Sequence, residues 1–408
     1  ATQSPPPSTV SPPAARPRQP PSAPSPAPAA RAVAQSERPD WFQGNTGPVV
    51  EPAQVLADHL VKDPVRWLAD LAATTDPTEF ATLCTELEAA LPIVARSARL
   101  DVMWRIRSTL AVIVEEGPAT NASRPSGAHR VLKALQDPSV LAPAAHDLLH
   151  GQPPSRQASG LLLAAGVGGA YVLYGARTKS APDEEVRTRF VAMMREIGTQ
   201  AFPVLRAALE KLEGRDEDAP ALLVDVLRGI PPIRDDATGE VVSRFLTCKA
   251  PEIRGVATLA LVQCWGERAQ ALLVGLLKDE DESVRIAAIA GIRKIGRVDE
   301  TVVRRLGAML QPSHRMSTAL KTEAAIAYRS AAVAGRPTAI AILTRLVATS
   351  PASGPREEAL LVEMARSLLL LGAREGGAVV TERASRQREP LRGRLLELMS
   401  SAGQGVRG

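Results

Sequence analysis

Seven glycines punctuate the chain from about residue 155 onward. Gly166, Gly198, Gly229, Gly266, Gly296, Gly335 and Gly372 each close an apolar helical stretch, at separations of 32, 31, 37, 30, 39 and 37 residues. Recurrence at this length is the signature of stacked helix pairs, in which no unit buries its apolar face alone and each packs on its neighbours. The repeat overrides what length would suggest, since 408 residues would otherwise read as two or three globular domains. At Gly166, Gly198 and Gly266 the match is tighter. A small residue follows at the third place (Gly169, Ala201, Ala269) and a leucine at the seventh (Leu173, Leu205, Leu273). A Val-Arg or Ile-Arg pair also stands before three of the glycines, as Val186-Arg187, Ile253-Arg254 and Val284-Arg285.

Residues 279–310 hold the best-kept unit. Val284, Ala288, Ile292 and Ile295 share one helical face, and Ile286 and Ile289 widen the apolar arc, so this helix is packed on more than one side. Gly296 ends it as a C-cap, and Asp299 starts a second helix carrying Val302, Val303, Leu306 and Leu310 at helical spacing. Arg285 falls inside the apolar arc and needs a partner; Asp279, six residues earlier, is the candidate.

Asp279, then Val284-Arg285, then a small-residue helix resembles the HEAT repeat, and the resemblance covers about 155–402. It implies an all-α, right-handed α-solenoid of antiparallel helix pairs, with Asp279 and Arg285 in a ladder between successive repeats. The ladder aspartate is missing before Arg187 and Arg254, where Ala181 and Cys248 stand. In that family the helices opened by the Val-Arg pair line the inner surface. With the neighbouring basic positions, this makes Arg187, Arg254, Arg293, Lys294, Arg329 and Arg366 the candidate partner-binding residues.

Aromatic residues are only 3% of the chain, so its core is built from Ala, Leu and Val, which suits close helix packing better than a β-sandwich. Residues 1–40, rich in Pro, Ala and Ser, lack the apolar residues needed to offset chain entropy and read as a disordered linker, a tether to something upstream. Residues 41–154 read as an irregular helical region or divergent repeats, with helices expected at 53–73, 77–95, 98–116 and 126–150. Pro64 and Pro92 are expected to kink or divide the first two. Residues 403–408 read as a flexible tail. Cys84, Cys248 and Cys264 are odd in number and widely spaced, which fits a reducing compartment and a cytoplasmic, monomeric protein better than a disulfide scaffold. The first residue is alanine with no signal-peptide pattern after it, so the chain reads as a fragment or processed product. Arginine far outnumbers lysine, and with abundant Ala and Pro this points to a GC-rich, bacterial genome.

No catalytic, cofactor or metal residues are assigned. The uncharged run 159–176 is barely long enough for a membrane span, and its five glycines and repeat-like spacing favour a packed helix pair. It lacks the third glycine of a dinucleotide fingerprint, where Tyr171 stands. His146 and His150 in HDLLH share a helical face like two zinc ligands, but Asp147 replaces the glutamate that chemistry requires and no third ligand is evident. Charge is polarised: 25 basic against 33 acidic residues over 40–284, then 20 against 10 over 285–408. A basic end of this kind suits an acidic protein, an anionic membrane or nucleic acid.

The leading expectation is a non-catalytic protein-binding scaffold. Two alternatives come from the resemblance: HEAT-like alkylpurine glycosylases grip DNA with a basic solenoid, and HEAT-like bilin lyases attach pigments to acceptor proteins. Base capture needs aromatics, and the segment after 285 has only Tyr328.

Overall fold

Helix starts are written into the chain as acid followed by proline. The aspartates of Asp63-Pro64, Asp76-Pro77 and Asp137-Pro138 each accept a backbone N–H of the helix they open. Each proline takes a first-turn position where its missing N–H has no intrahelical partner to lose. In a computed structural model the described residues, 51–115, 123–181, 183–215, 219–311, 316–331 and 333–404, are helical with short connections and no strand. The proposed linker over residues 1–40 lies outside the described residues, as do 405–408 of the expected tail.

The first helices are α1 (Pro52–Lys62), α2 (Pro64–Ala73), α3 (Pro77–Arg96), α4 (Leu100–Glu115), α5 (Ser123–Ala134) and α6 (Pro138–His150). Pro64 does divide the expected first helix, because Asp63 recaps the chain at once. Pro92 does not divide the second. Only one helical turn follows it, and buried Leu91, Val94 and Ala95 hold that turn against the core, which offsets the hydrogen bond its ring removes. The stretch expected as one helix over 126–150 is two, split where Asp137 and Pro138 cap and restart it.

Fifteen more follow: α7 (Arg156–Ala165), α8 (Val167–Lys179), α9 (Glu184–Ile197), α10 (Phe202–Leu212), α11 (Pro220–Gly229), α12 (Asp236–Arg244), α13 (Pro251–Trp265), α14 (Gln270–Leu276), α15 (Glu282–Ile295), α16 (Glu300–Met309), α17 (Thr318–Ala327), α18 (Arg336–Thr349), α19 (Pro355–Leu371), α20 (Ala373–Ser385) and α21 (Leu391–Gln404). From α9 onward the odd-numbered helices each pack on the next odd-numbered one, out to α21. On the other side α6, α8, α10 and α12 pack in series, and α16, α18 and α20 do the same. Each even-numbered helix from α8 to α20 packs on the odd-numbered helix that follows it, and the region from Pro52 onward is one compact unit.

Gly166, Gly198 and Gly266 share one backbone conformation, with φ of 55°, 70° and 52° and ψ of −114°, −135° and −119°. A side chain at these angles is strained, so glycine turns the corner between two helices there. Gly296 instead takes the ordinary left-handed cap, and Gly229, Gly335 and Gly372 have negative φ. The small residue three places on is a packing requirement. A Cβ on Gly169 would lie 2.1 Å from the Leu162 carbonyl oxygen, and Ala201 and Ala269 are fully buried. Leu173, Leu205 and Leu273 are fully buried too, each worth about 1.5–3 kcal/mol of apolar transfer.

The apolar run 159–176 is bent into α7 and α8 by Gly166. Among the described residues no helix is long and apolar enough to cross a membrane.

Candidate functional site

The predicted contact arginines are bound within the molecule. Arg187 on α9 donates to Asp225 on α11 (2.8 Å), and Arg254 on α13 makes a two-pronged contact with Asp279 ahead of α15 (2.7 and 3.0 Å). Arg293 on α15 stands 3.6 Å from Glu323 on α17. Arg329, just past α17, pairs with Glu363 on α19 and donates to Ser367 Oγ at 3.1 Å. Arg228, which sequence reasoning missed, supplies the remaining step at 3.8 Å from Glu252. One arginine-to-acid link therefore joins each odd-numbered helix to the next from α9 to α19. Arg366 pairs with Glu363 from its exposed position on α19 (2.9 Å), and Lys294 is exposed.

Asp279 and Arg285 are close, but not as a carboxylate–guanidinium pair. Arg285 Nη1 donates to the backbone carbonyls of Asp279 (2.6 Å) and Glu280 (2.9 Å), while the Asp279 carboxylate is held by Arg254. Arg254 binds the carbonyls of Cys248 and Lys249 in the same way, six and five residues back. The aspartate absent before Arg254 is thus not needed there, because each link runs forward to the next unit. Burial pushes the Asp279 carboxyl up, but the Arg254 bonds and the Asp281 N–H outweigh it and hold the group below the usual carboxylate range. Asp225 is completely buried between Arg187 and Arg177, the latter only 3% exposed and 2.6 Å away through Nη2.

Further arginines cover helix-end carbonyls. Arg189 reaches Leu148, Leu149 and Gly151 at the end of α6; Arg383 reaches Ala348 and Ser350 at the end of α18; Arg195, Arg305 and Arg124 act likewise. The last carbonyls of a helix lack intrahelical donors and carry its partial negative charge, so a forked cation suits them. Much of the arginine excess is structural for this reason. Tyr328 is also internal, donating to the Val303 carbonyl at 2.8 Å.

Open polar chemistry gathers elsewhere, in a groove of about 1000 Å³ across α6, α8 and α10. Pro138, Ala142, His146 and His150, at a four-residue interval, form one wall; Val204, Ala208 and Lys211 of α10 form the other. Between them α8 presents Tyr171, Tyr174, Gly175 and Thr178, and Lys179 and Ser180 follow. Among the described residues the lining holds two of the chain's three tyrosines, two of its five histidines and two of its eight lysines, and no carboxylate. In a chain so poor in these residues, that concentration sets the groove apart. Tyr171 is 59% exposed, and burial raises the Tyr174 hydroxyl, which stays protonated.

The three helices run in the same direction. Gln136, just before α6, lies against Gly168 at the start of α8, and Gln200, just before α10, lies against Gly166. The far ends of α6 and α8 are joined by His150 Nε2 and Ser180 Oγ, 2.9 Å apart. His150, Lys179 and Lys211 consequently share the C-terminal end of the groove.

The Ser180–His150 contact is not built as a nucleophile and base. The Ser180 hydroxyl donates to the Ala176 carbonyl (2.9 Å), which leaves Nε2 of His150 to donate. A base would have to accept there, and no carboxylate of the lining orients the ring. Asp147 turns away to accept the Ser155 N–H (2.8 Å). The two imidazoles lie 5.0 Å apart, and no group of three or more metal-ligating side chains occurs among the described residues. Cys84 and Cys264 are buried, which pushes their thiols up to about 11 and about 12, far from thiolate reactivity.

No protein-family model matches this chain, and no curated protein matches it.

Proposed function

We propose that the chain is a non-catalytic binding scaffold, a HEAT-like solenoid of helix pairs that presents the α6–α8–α10 groove to an acidic segment of a protein partner. The observation that carries this reading is the groove's composition: exposed Tyr171 over an apolar floor, with Lys179, Lys211, His146 and His150 in the lining and no carboxylate. Exposed tyrosine contributes large contact area at small entropic cost, and lysines in a groove whose described lining holds no carboxylate select a negative partner. The forward arginine links and the serial packing of alternate helices support the repeat architecture, since units that contact only their neighbours need a bond across every junction.

Nucleic acid suits the groove less well. Single-strand binding needs successive stacking platforms and many phosphate contacts, whereas Tyr171 is the one aromatic among the large exposed apolar side chains of the described residues, and most of the candidate arginines already hold internal acids.

Selection of a random peptide library on the immobilised protein tests the proposal. The expected outcome is enrichment of acidic sequences with aromatic or aliphatic anchors, whose binding is lost on Tyr171→Ala and on the Lys179→Glu/Lys211→Glu double variant. Enriched peptides that bind both variants unchanged, or no enrichment, would refute it.

A further inference from the structure

The groove's shape and the placement of its charge restrict the bound segment further; this step rests on the scaffold reading above. All three walls are helices running in one direction, and the lining follows them from Pro138 to His150 on α6, roughly 18 Å at 1.5 Å per residue. The trough therefore lies along the helices rather than across them. Its middle is open. Nothing stands within 4 Å of where a Cβ on Gly175 would be, and Ala142, Ala207 and Ala208 flank that gap. A floor this low admits a fourth helix at close interaxial distance.

Charge sits at one end only. Lys179 and Lys211 gather beside His150 where α6, α8 and α10 end, while Tyr171 lies toward the opposite end. A helix carries partial positive charge and favours Asp or Glu at its own start. An incoming helix running opposite to α8 would place its start, with any acidic first turn, beside the lysines. It would also set its dipole against those of three parallel neighbours. The reverse orientation would bring four negative helix ends together.

We infer that the groove receives one amphipathic helix of a partner protein, antiparallel to α8, with acidic residues in its first turn against Lys179 and Lys211 and an apolar anchor beside Tyr171 and Gly175.

Fluorescent peptides of about fourteen residues, roughly 21 Å as a helix, separate the possibilities. One carries leucines at every third or fourth position with Asp and Glu confined to the first turn. A second has the same composition with the acids in the last turn, and a third replaces the leucines by serine. With the full chain, the acid-first peptide is expected to bind roughly tenfold more tightly than the acid-last one, the combined effect of two charge contacts and the dipole. It should gain helical circular dichroism on binding, and the serine peptide should not bind. Lys179→Glu/Lys211→Glu should abolish binding of the acid-first peptide while leaving the thermal midpoint of the protein unchanged, and Gly175→Leu should block binding by filling the floor. Equal affinity for the first two peptides, or a preference for the acid-last one, would overturn the inference, as would displacement by oligo(dT) at physiological salt. If library-selected acidic peptides still depend on Tyr171 but show no preference for charge position, the scaffold reading stands and only the antiparallel helix falls. If no peptide depends on the groove, both fall.

Discussion

Arginine and lysine do different work in two regions of this molecule. Along α9 to α19 Arg187, Arg228, Arg254, Arg293 and Arg329 are each tied to an acid of the next unit, and Arg195 and Arg305 to the carbonyls of a helix end. In the α6–α8–α10 groove the cations are Lys179 and Lys211, and the described lining holds no carboxylate. A guanidinium offers several fixed donors and bridges two or three acceptors at once, whereas an ammonium is a mobile point charge. Net charge alone is thus a poor guide to where this protein meets a partner. The basic C-terminal third uses several of its arginines for cohesion, and the more open chemistry lies in the part of the chain whose overall charge is acidic.

Breaking the cohesive side should have the largest effects. Asp225→Asn removes the buried carboxylate that Arg177 and Arg187 share, and Arg187 keeps only its exposed partner Glu184 at 3.2 Å; urea unfolding should show a loss of about 3–5 kcal/mol. Arg254→Ala or Asp279→Ala should each cost about 2–4 kcal/mol, and the double variant markedly less than their sum, because either change already breaks the link. The Asp279 carboxyl lies below its ordinary value in the fold, so its contribution is complete above the unfolded carboxylate pKa of about 4 and is lost as pH falls through the lower native value. Asp279→Asn should therefore flatten the acid limb of a stability–pH curve and lower stability at neutral pH.

Smaller changes sharpen the contrast. Gly266→Ala should cost about 1–3 kcal/mol through its positive φ, and the Arg234 guanidinium, whose Nη1 lies 1.3 Å from the new Cβ position, must move as well. Gly175→Ala, in an open stretch of α8, should instead stabilise by roughly 0.5–1 kcal/mol from helix propensity. Lys179→Glu/Lys211→Glu should leave the unfolding free energy within about 0.5 kcal/mol of wild type while removing peptide binding. A stability loss from the lysine pair as large as that from Asp279→Ala would erase the distinction between the two regions.

Helical class and several junctions were legible in the sequence because they depend on local chemistry. The glycines followed by a small residue and then leucine, at 166, 198 and 266, are the ones that adopt the shared positive-φ corner, and their leucines are fully buried. Ionic partners were not legible. Arg285 is the near neighbour of Asp279 in sequence, but the Asp279 carboxylate is held by Arg254, and Arg187 reaches Asp225 across 38 positions. HDLLH drew attention as a weakened metal motif, yet the groove beside it needed α8 and α10 to be complete. The signal available was scarcity: two of three tyrosines lie within four residues of each other, in the stretch that also resembled a membrane span.

By itself the sequence determined that this chain is helical, that glycines at 166, 198 and 266 turn its corners, and which leucines face inward. These follow from backbone sterics, capping and apolar periodicity, which act within a turn or two of the chain. Only the tertiary structure decided which charges are neutralised and which stay open, because an arginine's partner depends on which helix packs beside it, and that neighbour lies one full helix pair away in the chain.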